Sequence, residues 1–321
     1  MGMKKVSVTI LAALSVSIIA ATFASTPKIE TKDGVRVIHN EKGGKLGNNP
    51  KARIELIRTI GGLDADENLS FNQKRLDDVL QKSLEYCLRL DRIALFFISV
   101  EDVRERIFNP YRIMTWPRGW KLEEHTYSYD YQLIRKTGLE EERRILIREN
   151  GKTCRVEDAP LKTLRFNYKY LAFGPIGLLG ETAQRIHSYL VEDEVKIWRK
   201  PALVIRVVPR EPDTAKWLYG RAWVSPADGS VFKIEWQEES LGNYEETLKY
   251  AQALKAKPAL RFATEYQYEK NGIRFPSRFT VGEDYSQTTP GGTRKIRKSE
   301  LQVTLRDYKF FTVETDVTIR R

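Results

Sequence analysis

From His125 to Leu133 the chain alternates residue by residue. His125, Tyr127, Tyr129, Tyr131 and Leu133 fall on one parity, and Thr126, Ser128, Asp130 and Gln132 on the other. A period of two is what a strand with one buried face requires, because successive side chains point to opposite sides of a sheet. The rhythm returns over Tyr219–Val224, Val231–Trp236, Phe262–Tyr268 and Leu301–Arg306. Between such runs stand turn signals: Asn150-Gly151, Pro226-Ala227-Asp228-Gly229 and Asn271-Gly272. Asn-Gly suits a type I′ hairpin, whose two central residues both need positive φ. Strands joined by turns this short must run antiparallel, so the pattern predicts a meandering sheet.

Helices are few. Leu76, Val79, Leu80, Leu84, Cys87, Leu88 and Leu90 recur at three- and four-residue spacing, with Lys, Arg and Asp opposite, which predicts an amphipathic helix over about 72–92 that Asn72 can cap. Shorter helical patterns fall at 181–189 and 243–256. The run from Tyr168 to Gly180 breaks the strand rhythm and leads into the first of these. A sheet followed by a helical crossover and more sheet implies one face covered by helices. The predicted class is therefore α+β, mainly antiparallel β: a curved meandering sheet forming an open half-barrel, with helices over the concave face. No repeat of fixed period is present, which argues against a propeller or solenoid.

The N-terminus reads as an export signal. Lys4 and Lys5 precede an uncharged run, Val6–Ala21, and Thr22-Phe23-Ala24 offers a small-residue cleavage site. The run falls short of the roughly 20 residues a membrane-spanning helix needs. The expected organisation is thus a signal peptide over 1–24, an extended arm rich in Gly, Lys and Asn over 25–70 with one strand near Ile54–Ile60, and the half-barrel over 71–321. The expected location is periplasmic or secreted. The formal charge of +11 is spread along the chain. That is the pattern of a solvated surface rather than a nucleic-acid footprint, and it would favour peripheral contact with anionic headgroups.

Catalytic chemistry finds little support. His39, His125 and His187 lack the spacing that sets two imidazoles on one metal. Gly151-Lys152-Thr153 ends like a phosphate loop, but Leu146 stands where its first glycine would be. Asp64–Asn68 opens like a calcium loop, yet Leu69 and Arg75 occupy the glycine and glutamate positions. Gly174, Gly177 and Gly180 lack dinucleotide-fingerprint spacing. Acidic runs such as Glu140-Glu141-Glu142 and Glu238-Glu239 read as wet surface. No enzyme activity, cofactor or metal is expected. Cys87 and Cys154, the only two cysteines, allow one disulfide in an oxidising compartment, or serve as two small buried apolar residues.

The informative feature is an excess of large apolar residues on one parity of successive strands: Tyr127, Tyr129 and Tyr131; Trp223; Phe232, Ile234 and Trp236; Phe262, Tyr266 and Tyr268. They either fill an ordinary core against the helices or line an apolar concavity that shelters a ligand. In the second case Leu171, Phe173, Ile176, Leu178 and Leu179 form a lid or a membrane-touching loop, since so apolar a turn is costly in water unless it covers something.

The order of leader, helix and meander, with the strand-turn-strand from Trp223 through Pro226-Ala227-Asp228-Gly229 to Glu235, resembles the LolA/LolB-like superfamily of periplasmic lipoprotein carriers over about 72–310. The resemblance implies an open half-barrel that holds a lipid or a lipoprotein acyl chain without covalent chemistry. This chain is longer, with an insertion near 240–258 and an arm those carriers lack, and no individual residue role is carried over. The other class of reading is an interaction module of the cell envelope, with a filled core and a protein partner at the 25–70 arm.

Overall fold

The computed structural model describes residues 6–7, 29–32, 35–38, 64–93, 97–109, 121–136, 139–211, 218–240 and 244–311, with side chains from residue 73 onward except at a few element ends. The chain divides into two compact units, Ala13–Gln73 and the remainder. In the first, Ile29–Lys32 (β2) and Val35–Ile38 (β3) pair as an antiparallel hairpin. The strand expected near Ile54 lies outside the described residues. So does most of the leader, of which Val6–Ser7 (β1) forms a two-residue parallel bridge to Phe166–Asn167 (β8).

The larger unit is built on one open sheet of eleven strands, every pairing antiparallel. The helix Asp64–Ile93 (α1), which belongs to this unit from Lys74 onward, leads into Phe97–Asn109 (β4), Lys121–Lys136 (β5), Leu139–Glu149 (β6) and Lys152–Val156 (β7). These four make one arm of the sheet, ending at the β7 edge. After β8 come two short helices, Gly174–Leu179 (α2) and Glu181–Ile186 (α3). The second arm then runs from its own edge, His187–Ile197 (β9), through Lys200–Pro209 (β10), Gly220–Val224 (β11) and Val231–Trp236 (β12). The helix Tyr244–Ala253 (α4) follows, then Lys257–Glu265 (β13), the small hairpin Tyr268–Lys270 (β14) and Ile273–Phe275 (β15), Arg278–Thr289 (β16) and Gly292–Phe310 (β17). The last strand closes the order by pairing with β4, Val303 opposite Val103.

This order explains why one face is covered. β7 and β9 are consecutive large-sheet strands yet stand at opposite edges. The chain between them must cross the whole sheet, and it does so over the face that carries the core. The expected curved, open sheet with helices over one face is the architecture observed.

Local chemistry behaves as the turn signals require. Asn150 and Gly151 have φ of 48° and 79°, and Asn271 and Gly272 have 51° and 71°. Gly229, at φ 69°, turns against the backbone of α1, where a Cβ would lie 2.3 Å from the Lys82 carbonyl carbon. Helix α1 begins earlier than the periodicity predicts and is rotated from the expected face: Tyr86 is buried within it, whereas Leu88 is 49% exposed. Leu76, Val79, Cys87 and Leu90 point into the core as expected.

Candidate functional site

The inner face of the sheet is aromatic and aliphatic at its centre and charged along one flank. Tyr127, Tyr129, Tyr131 and Leu133 of β5, Ile234 and Trp236 of β12, Phe262 of β13 and Tyr266 beyond it are all buried in a single cluster. Three expected members sit elsewhere. Trp223 projects from the opposite face, between the buried Ala222 and Val224, with the Lys233 ammonium 4.6 Å from its ring centroid. Phe232 is the extra residue of a β-bulge, since the register slips between Trp223 opposite Lys233 and Val224 opposite Val231. It packs outside the main cluster, edge-on to Trp198 and beneath the Arg274 guanidinium. Tyr268, 37% exposed, belongs to the β14–β15 hairpin, where it stacks on Tyr308 at 4.7 Å.

The crossover from β7 to β9 has two parts with different chemistry. Its first part, a root over residues 162–170, is fastened to four inner-face carboxylates. Glu105 accepts the main-chain N–H groups of Leu164 and Arg165 at 2.7 and 2.8 Å. The Arg165 guanidinium forks onto Glu283 at 2.8 and 2.6 Å, and the Ser299 and Tyr285 hydroxyls donate to the same carboxylate. Burial disfavours the charged form of Glu283, yet these donors outweigh it and hold the carboxyl below its ordinary range. Tyr168 donates to Glu101 at 3.0 Å, and the Tyr170 N–H donates to Glu142 at 2.5 Å.

Glu101 and Glu142 share one buried cation. Arg144 forks onto Glu101 at 2.7 and 3.1 Å and reaches Glu142 at 3.2 Å, while the Tyr131 hydroxyl donates to Glu142 at 2.8 Å. Burial alone would depress the guanidinium; the two carboxylates outweigh it and hold it well above the ordinary arginine value. Glu142 therefore departs from the wet surface expected of its acidic run.

The second part, a cap over residues 171–180, is apolar. Tyr170 turns the chain with φ 55°, a 3-10 turn Leu171–Phe173 follows, and α2 completes it. Leu171, Phe173, Leu178 and Leu179 are buried, Ile176 half-buried. These side chains pack toward the protein and not into solvent. Side-chain donors reach the cap's main-chain carbonyls at three places: Tyr266 to Leu171 at 3.0 Å, Tyr189 to Leu178 at 2.7 Å and Gln184 to Leu179 at 2.8 Å. At Gly174 the cap touches the sheet with no room to spare, since a Cβ there would meet the Tyr266 hydroxyl, Ile234 Cδ1 and Trp236 Cζ2 at 2.2, 3.3 and 3.4 Å.

Of the two arrangements open to the aromatic face, the packing beneath the cap is that of a filled core. A gap bounded by Phe97, Tyr131, Arg144, Tyr168 and Leu171 is too narrow to admit a water molecule. The cysteines are both free: Cys87 is buried in the core and Cys154 packs half-buried against it. His125 stacks on Tyr127, and His187 holds its Nδ1 2.9 Å from the Ala183 carbonyl. Among the described residues no three His, Cys, Asp or Glu side chains converge as metal ligands, and no helix is long and apolar enough to cross a membrane.

Neither the family models nor the curated proteins contain a match to this chain. Solved structures with some likeness include a DUF1329 family protein from Desulfovibrio piger, with 10% identity, 74% of this chain and 95% of that chain covered, and a TM-score of 0.33. A LolA superfamily protein from Nitrosomonas europaea matches at 13% identity over 73% of this chain and 94% of its own, with a TM-score of 0.28. The Pseudomonas aeruginosa MucA/MucB complex contains a chain at 11% identity that is 99% covered by 75% of this one, with a TM-score of 0.19. At identities and scores this low, no residue role or activity is carried over.

The polar flank was the part that sequence reasoning missed. Glu101 and Glu105 sit on the buried parity of β4, alternating with Asp102 and Arg104, and carboxylates on a strand's apolar parity were the available signal.

Proposed function

We propose that this protein is a non-catalytic binding protein of the cell envelope. It takes up an apolar chain, the acyl chain of a lipid or lipoprotein, on its inner face by displacing the cap over 171–180. The observation that carries this reading is the difference between root and cap. The root is held by ion pairs and charge-assisted hydrogen bonds, each worth roughly 1.5–3 kcal/mol, which a hydrocarbon cannot replace. The cap is held chiefly by the burial of Leu171, Phe173, Leu178 and Leu179, which a hydrocarbon can replace.

The magnitudes set the ligand's size. Burying four such side chains is worth about 6–12 kcal/mol, and each buried methylene returns about 0.8 kcal/mol, so a chain of roughly 8–15 methylenes is needed to offset the cap. Short acids fall below that threshold. The uncharged run after Lys4 and Lys5 supports an exported location, and the element order that resembles the lipoprotein carriers agrees with the ligand class.

Organic extraction of the purified protein followed by mass spectrometry, with titration of fluorescent fatty acids of graded length, tests the reading. Saturable binding should appear only for long chains. A protein that carries no lipid and ignores every chain length would instead be an interaction module with a permanently packed core.

A further inference from the structure

The closed site holds an unused donor at the place where the cap meets the sheet. Trp236 is buried at 5% exposure, and its Nε1–H has no partner among the described residues. Buried N–H groups almost always find an acceptor, so an exception at a contact surface points to an acceptor that arrives from outside. The indole edge carrying Nε1 is turned toward the cap, because Cζ2, two bonds away on that edge, is the atom that faces Gly174. One strand over, the Tyr266 hydroxyl faces the same glycine and donates to the Leu171 carbonyl at 3.0 Å. Ile234 and Phe262 surround these groups with hydrocarbon.

We infer that the acyl ligand is anchored by a carbonyl oxygen, of an ester or a carboxyl group, received by Trp236 Nε1–H and Tyr266 O–H. This rests on the displaceable-cap reading above. In the closed state the cap itself supplies a carbonyl, that of Leu171, amid apolar side chains. A ligand carbonyl on a hydrocarbon chain reproduces that arrangement and in addition satisfies the indole. A bare hydrocarbon would strand two buried donors once the cap left, so the site discriminates against it even though the surrounding walls do not.

The test is displacement of a fluorescent long-chain fatty acid from the full-length protein by a long-chain methyl ester and by the alkane of equal length. A net hydrogen bond changes affinity by roughly 2–13-fold, so two should favour the ester by roughly 4–170-fold in the unmodified protein. Trp236→Phe and Tyr266→Phe should each shrink that preference several-fold, because the ester loses a donor and the alkane no longer strands one. Equal potency of ester and alkane on the unmodified protein would overturn the anchor while leaving the acyl-binding reading intact. So would variants that weaken both competitors alike, which is the mark of lost packing. Failure of the fluorescent fatty acid to bind at all would overturn the parent reading, and this one with it. The ester-to-alkane comparison needs no variant, so a variant that fails to fold leaves the test decisive.

Discussion

Tyr266 and Gly174 compete for one position: a Cβ on residue 174 would lie 2.2 Å from the Tyr266 hydroxyl oxygen. Gly174 is helical, with φ −49°, so the requirement for glycine is one of space and not of backbone conformation. Gly174→Ala should therefore lift the cap's edge and destabilise the protein by about 1–3 kcal/mol, the usual cost of overpacking. Tyr266→Phe removes the offending oxygen and the bond to Leu171. The double variant should be more stable than the sum of the two single effects predicts, as measured by urea unfolding. Strict additivity would mean that the cap does not seat on Tyr266.

Removing Arg144 should be among the most damaging single changes. Arg144→Met would leave Glu101 and Glu142 buried without their shared cation, a loss of about 3–5 kcal/mol. Replacing the triad together with apolar residues should recover most of that loss, because no charge is then left unpaired. Chemical denaturation of the two variants checks the pair of outcomes. A neutral Arg144→Met would show that the root is not held by this network.

Acidification should weaken the fold in two stages. Burial depresses His187, its bond to the Ala183 carbonyl opposes that in part, and the nearby Arg210 adds a smaller depression. The unfolded chain therefore takes up a proton near pH 6.5 that the folded chain refuses, and stability falls as pH drops through that region toward the lower folded value. Glu283 and Asp284 are held low by Arg165 and by Arg297 and Lys295, against burial. Their contribution is complete above about pH 4–4.5 and is lost as pH falls from there through the folded values. His187→Asn should erase the upper stage, and Arg165→Met should shrink the lower. Urea midpoints measured across pH would read both, and a flat profile between about pH 7 and 5 would contradict the first.

The two cysteines should differ in reactivity. Burial pushes the Cys87 thiol well above its ordinary value, so it should resist alkylation in the native protein, while half-buried Cys154 reacts slowly. Denaturation without reductant should release both thiols. Recovery of neither would establish a disulfide and a different packing of α1.

What the sequence determined by itself was local. Period-two alternation requires half-buried strands, Asn-Gly supplies positive φ at hairpins, and apolar spacing on residues 76–90 makes a helix with one buried face. Each depends on neighbours a few residues apart. Much of the candidate site was legible in the same way: Tyr127, Tyr129, Tyr131, Ile234, Trp236, Phe262 and Tyr266 do share the buried face. Tertiary structure decided the rest. A bulge at Phe232 sets it apart from Ile234 and Trp236, and the packing of β11 buries Ala222 and Val224 and leaves Trp223 on the other face. The pairing of β4 with β17 places Glu101 and Glu105 under a crossover that could only be routed once the sheet's two edges were known. A carboxylate looks alike in sequence whether it meets water or a buried arginine, because its partner is chosen by distance in space and not along the chain.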